Sequence, residues 1–143
     1  MSSASKTVKI APSVLASDFG KLADEIKAVS LAGADWIHLD AMDGRFVPNL
    51  TFGPPVIKAV REITDVYFDA HLMIEDPDVI LEDFASAGVQ GITVHFEVCT
   101  HLNRTLSRIR KLGCRAGVAV NPATGVDSLA HCLCLLYTSD AAD

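Results

Sequence analysis

A chain of 143 residues, half of them hydrophobic, is long enough for one domain with a sizeable core, and its composition carries no signature of disorder. The net charge of −6 argues against nucleic acid or an anionic membrane surface as a partner, because both are polyanions. No apolar run reaches membrane-spanning length, and the first one, Ile10 to Ala16, is interrupted by Pro12, which makes a poor signal-peptide core.

Without a secretory signal, a cytoplasmic location is expected, with Cys99, Cys114, Cys132 and Cys134 as reduced and mostly buried thiols. They include no zinc-type Cys-x-x-Cys pair. Residues 1–7 read as a flexible N-terminus. Strand-like runs then follow at Val8 to Leu15, Trp36 to Met42, Val66 to Ile74, Gly91 to Phe96 and Arg115 to Asn121, separated by helical patterns.

Between the first two runs Leu22, Ile26, Val29 and Ala32 recur at helical spacing, with Ser17 or Asp18 as the N-cap and Gly33 as the stop. The next helix opens at Pro54-Pro55 and is expected to bury Val56, Ile57, Val60 and Ile63; the third opens at Asp76-Pro77 and should bury Val79, Ile80 and Phe84. A fourth carries Leu102, Leu106, Ile109 and Leu112. Gly33, Gly88 and Gly113 each stand just before a strand, where glycine can turn a helix back toward the sheet.

A recurring βα unit implies a parallel sheet with crossover helices. A dinucleotide-binding sheet would want a glycine-rich turn after its first strand, but that turn reads Ala16-Ser17-Asp18-Phe19. One strand face also carries polar groups: Ser13, His38 and Asp40, Asp69 and His71, His95 and Glu97. These suit strand ends that open onto a shared polar mouth, so the fold expected is the (β/α)8, or TIM, barrel.

Such a barrel usually needs about 250 residues, and this chain holds about its first five βα units. The barrel portion is expected over residues 8–133. Ser128 to Leu136 can form a helix with Leu129, Cys132, Leu133 and Leu136 on one face, but no sixth strand follows. Residues 134–143 are read as an anomalous, non-native tail to an incomplete barrel.

His38 and Asp40 share a strand face because side chains alternate with a period of two, and His71 comes from the neighbouring strand. Two imidazoles and a carboxylate suit one divalent metal ion, zinc, iron, manganese or cobalt; they would equally serve as hydrogen-bonded interior residues. Asp69 shares a face with His71 and could orient it. Ser13 could donate to a substrate oxygen or form a turn. Met42 and Met73 close two strand faces as core filler or as an apolar wall. His95 and Glu97 are mouth residues without an assigned role, and Arg45 with the loop to Asn49 either covers a substrate or reaches solvent.

The runs IAPSVLASDF, HLDAMDGRFVPNLTFG, DAHLMI, ITVHFE and VAVNPAT resemble, in order and spacing, the signature segments of the ribulose-phosphate 3-epimerase family, over residues 8 to about 130. The resemblance implies a barrel enzyme that interconverts D-ribulose 5-phosphate and D-xylulose 5-phosphate with one divalent metal. It implies His38, Asp40 and His71 as metal ligands, Asp40 also as one of two acid/base carboxylates, Ser13 and His71 as substrate contacts, and Met42 and Met73 beside the reacting carbons. It further implies a phosphosugar substrate, a homo-oligomeric full-length protein, and neither nucleic acid nor membrane as partner.

Inverting a carbon next to a ketone takes a proton from one face and returns it to the other, through an enediolate. In the family the second carboxylate, which is also the fourth ligand, and the phosphate-binding turns belong to later strands. The chain is therefore expected to be inactive by itself, with exposed sheet edges. The alternatives are a related phosphosugar barrel enzyme, such as a hexulose-phosphate epimerase or a decarboxylase, and a non-catalytic fragment that binds a metal or a phosphosugar.

Overall fold

The computed structural model describes residues 8–136; the expectations for residues 1–7 and for 137–143 lie outside them. Four parallel strands, β1 (Trp36–Met42), β2 (Tyr67–Met73), β3 (Gly91–His95) and β4 (Arg115–Ala119), form one sheet in chain order. The helices α1 (Leu22–Leu31), α2 (Pro54–Val60), α3 (Leu81–Ser86) and α4 (Leu102–Lys111) fill the chain before β1 and the three crossovers. This is the parallel βα arrangement expected of part of a barrel.

Alternation decides which face does what. Ile37, Leu39 and Ala41 of β1, Phe68, Ala70 and Leu72 of β2, and Ile92 and Val94 of β3 are buried in one core with Ile26, Ile57, Leu81, Phe84, Leu106 and Ile109 from the helices. The other residues of each strand line the opposite, inner face. At its amino end Trp36 and Tyr67 stack with centroids 4.8 Å apart, and the Arg115 guanidinium lies 5.1 Å from the Tyr67 ring. The ionisable groups lie farther along, toward the carboxyl ends.

Helix boundaries follow the chain's punctuation. Asp18 accepts from the Gly20 amide and caps a 3-10 turn, Phe19–Lys21, that leads into α1. Pro54 and Pro55 occupy the first turn of α2, where their missing donors cost nothing. Gly33, Gly88 and Gly113 all take positive φ, the conformation that turns each helix back to the sheet.

Several expectations fail. Val8 to Leu15 is not a full strand: Ile10 and Pro12 carbonyls accept from Trp36 and His38 amides, but only Ser13 forms a bridge to β1. Pro12 has no amide to give, and Ser13 then caps a 3-10 turn, Val14–Ala16, which ends the extended run. In α2, Val56 is exposed beside buried Ile57 and Val60, while Ile63 is half-buried.

Asp76-Pro77 opens a separate 3-10 turn, Pro77–Val79, which rotates the face so that Pro77 and Leu81 are buried and Val79 is 75% exposed. Ala32 caps α1 in solvent. Ser128 to Leu136 forms no α-helix but two 3-10 turns, Val126–Leu129 and Leu133–Leu135. Of its apolar face only Cys132 is buried, too little packing to offset the cost of nucleating a helix. Cys114 is also buried, Cys99 half-buried and Cys134 exposed, and no disulfide forms among them.

A candidate metal centre at the carboxyl end of the sheet

The parallel register sets Asp40 beside His71 and His38 beside Asp69. Asp40 is the hub of the resulting cluster. Its Oδ1 lies 3.3 Å from His38 Nε2 and 3.4 Å from His71 Nδ1, while its Oδ2 accepts from the Ser13 hydroxyl at 2.5 Å. The two imidazole contacts are longer than charge-assisted hydrogen bonds, which sit at about 2.7–2.9 Å.

The spacing has a second meaning. Donors held about 2.0–2.1 Å from a tetrahedral ion lie about 3.3–3.4 Å from one another, the separation found between Asp40 Oδ1 and each imidazole nitrogen. All three donor atoms fall within 4.8 Å of each other. The residues therefore fit a divalent cation in donor chemistry, and Asp40 Oδ1 fits one in its distance to each imidazole.

Electrostatics prepare the same cluster. His38 beside the Asp40 carboxylate, then His71, holds Asp40 well below the usual carboxylate range despite its partial burial. Asp40 and then Asp69 raise His38 to about 9 against the opposing effect of burial. Without a cation, His38 is thus an imidazolium between two carboxylates; with one, it must give up its Nε2 proton.

The expectation that Asp69 orients His71 is overturned. Its Oδ2 lies 2.9 Å from His38 Nδ1, because the register places it directly across from His38, whereas residues two apart on one strand are separated by about 7 Å. His71 is held elsewhere. Its Nε2 is 2.8 Å from His95 Nε2, with the rings stacked at a centroid distance of 4.9 Å.

His95 is almost fully buried, and burial, followed by the neighbouring His71, lowers its pKa. Glu97 Oε1 accepts from the Asn121 amide at 2.6 Å and from the Thr124 hydroxyl at 2.5 Å. Burial opposes ionisation of Glu97, yet the Thr124 and Asn121 hydrogen bonds bring it down to about 2. Met42 and Met73 face each other in register at the strand ends, both half-buried. Arg45 reaches solvent and pairs with Glu75 at 2.7 Å.

Three further residues contribute to the site without having been assigned a role in it from the sequence. Thr51 donates its hydroxyl to the Asp40 carbonyl at 2.7 Å and accepts from the Met42 amide at 3.0 Å, fastening the loop after β1 to its strand. Asp43 accepts from the amides of Arg45, Phe46 and Glu75, tying that loop to the end of β2. Phe46 then lies 4.7 Å from His95, ring centre to ring centre. An Asp-Gly pair after a strand is a usable signal for the Asp43 turn; Thr51 and Phe46 depend on long-range folding.

Comparison with known proteins identifies the family. A family model described as the ribulose-phosphate 3 epimerase family matches residues 9–138. A ribulose-phosphate 3-epimerase of Synechocystis is 53% identical over 131 residues, covering 90% of this chain and 57% of that protein. One of Bacillus subtilis is 51% identical, covering 87% and 57%. The rice cytoplasmic isoform is 45% identical, covering 88% and 56%. The chain thus spans somewhat over half the length of these relatives. Among solved structures, Yersinia pestis DHPS superposes with a TM-score of 0.59 at 14% identity over 87% of this chain and 50% of that one, a likeness of fold alone.

Proposed function

Because the chain belongs to the ribulose-phosphate 3-epimerase family, we propose that its inner sheet face serves the interconversion of D-ribulose 5-phosphate and D-xylulose 5-phosphate, with a divalent metal held by His38, Asp40 and His71. The observation that carries this reading is the convergence of those three donors, from two adjacent strands, with Asp40 Oδ1 at the separation a tetrahedral ion requires from each imidazole nitrogen. When bound, the cation supplies a Lewis acid for the substrate oxygen that becomes negative in the enediolate.

The chain's own residues do the rest. Asp40, kept ionised by its neighbours, takes the C3 proton from one face or returns it. Ser13 holds Asp40 Oδ2, and so fixes the carboxylate plane while Oδ1 faces the imidazoles. Asp69 orients His38. Met42 and Met73 flank the strand ends as an apolar wall that strengthens the electrostatics beside them.

Among the described residues the inner face carries two carboxylates in its strands, Asp40 and Asp69, and Asp69 is held by His38. That leaves one group for a reaction that needs proton exchange on both faces. We therefore assign to this chain the metal site and one of the two transfers. Incubating the zinc-loaded chain with D-ribulose 5-phosphate and measuring D-xylulose 5-phosphate tests this: no product above the blank is expected, and turnover like that of a complete epimerase contradicts it.

A further inference from the structure

We propose that His95 is the positioning residue of His71: its bare Nε2 accepts the Nε2–H of His71 and thereby leaves the His71 Nδ1 lone pair free to ligate. This rests on the metal centre proposed above and adds a member to it that touches neither the cation nor the substrate.

The geometry requires a division of protons. Two imidazole nitrogens 2.8 Å apart must share one hydrogen, because two lone pairs or two N–H groups at that distance repel. A neutral imidazole carries one proton. If His71 ligates through Nδ1, the atom facing Asp40 Oδ1, its proton stands on Nε2 and points at His95. His95 Nε2 is then the acceptor, and the proton of His95 stands on Nδ1.

That Nδ1 is buried and has no other hydrogen-bond partner, but Glu97 Oε2 faces it at 3.4 Å. The other Glu97 oxygen is fixed by Asn121 and Thr124, so the carboxylate is aimed rather than free. The count balances: each imidazole holds one proton, the carboxylate stays ionised, and nothing is taken up or released.

The surroundings support a fixed pair. The two rings stack at an interplanar angle of 21°, and Phe46 covers His95 from the loop after β1, which hinders water from replacing the acceptor. His38 offers a parallel within the same cluster, since its non-ligating Nδ1 is held by Asp69. Each ligating imidazole thus has its far nitrogen held, one by a carboxylate and one by a second imidazole.

The test uses the full chain with zinc as probe and three proteins: wild type, His95→Phe and His95→Gln, the last carrying an amide oxygen able to accept from His71. Long-range proton–nitrogen NMR of the zinc-loaded wild type should show His71 protonated at Nε2 and His95 at Nδ1. By calorimetry, His95→Phe should weaken zinc binding about 10–100-fold and His95→Gln should recover most of the loss.

A zinc-loaded protein in which His95 is protonated at Nε2 rather than Nδ1, or His95→Phe binding zinc like wild type, overturns the role of His95 and leaves the metal centre standing. Wild type that binds no zinc overturns both. Should His95→Phe fail to fold, as circular dichroism would reveal, the tautomers of the wild type decide.

Discussion

Asp69 offers the sharpest perturbation, because it touches the proposed centre only through His38. Its Oδ2 sits 2.9 Å from His38 Nδ1, while its Oδ1 lies toward Gly91. Replacing it tests two contributions separately. Asp69→Asn keeps an oxygen that can accept the Nδ1 proton, and so preserves the tautomer that aims His38 Nε2 at the metal; only the charge is lost. Asp69→Ala removes the acceptor as well. Outer partners of metal-bound histidines are worth about 10–100-fold in affinity, which at about 1.4 kcal/mol per tenfold is about 1.4–2.8 kcal/mol. A charge-assisted hydrogen bond contributes about 1.5–3 kcal/mol, so the bond alone accounts for the range. Asparagine should therefore fall near tenfold and alanine near a hundredfold. Calorimetric zinc titration at fixed pH measures both. Alanine binding as tightly as wild type, or asparagine losing more than alanine, refutes the reasoning.

Further outcomes follow from the same structure. A Cβ on Gly91 would meet Asp69 Oδ1 and the Tyr67 hydroxyl, each at 2.7 Å, so Gly91→Ala should displace Asp69 and weaken zinc binding in the manner of Asp69→Ala; unchanged affinity would show that Asp69 can move without releasing His38. Glu97 has its pKa lowered from 4.5 to about 2, so its contribution to holding the turn at Asn121 to Thr124 is complete above pH about 4.5 and is lost as pH falls through about 2. Hydrogen exchange should show the Asn121 amide protected at pH 5 and losing protection toward pH 2, and protection constant across that range contradicts the assignment. Phe84 is fully buried, so Phe84→Ala should cost about 3–5 kcal/mol in urea unfolding, and a loss below about 1 kcal/mol would mean that the helix layer does not pack as described.

The inner and outer faces of β1 and β2 were readable from alternation alone, because a period of two leaves no freedom once one face must be buried. His38, Asp40 and His71 could be named for the same reason: adjacent parallel strands bring their carboxyl ends together. Register was not readable. Whether Asp69 serves His71 or His38 turns on which residues of β1 and β2 lie opposite, and no spacing within one strand contains that. The contact of His95 with His71 likewise arises from pairing between β2 and β3.

Two of the misread apolar positions have a common physical cause. Val79 and Leu133 stand beside residues that are buried, and short turns of 3-10 geometry rotate the face away from the 3.6-residue helical period. Val8 to Leu15 has a strand's composition, but Pro12 removes a donor and Ser13 bends the chain into a turn. Side-chain composition indicates what can be buried, whereas backbone hydrogen-bond supply decides what can pair.

The proposed centre holds one cation on His38 Nε2, Asp40 Oδ1 and His71 Nδ1. Zinc-edge anomalous diffraction from crystals of the zinc-loaded chain tests it most directly. The predicted result is one ion bound to those three atoms at about 2.0–2.2 Å. An ion bound elsewhere, or none at this cluster while His38 remains between Asp40 and Asp69, would contradict it.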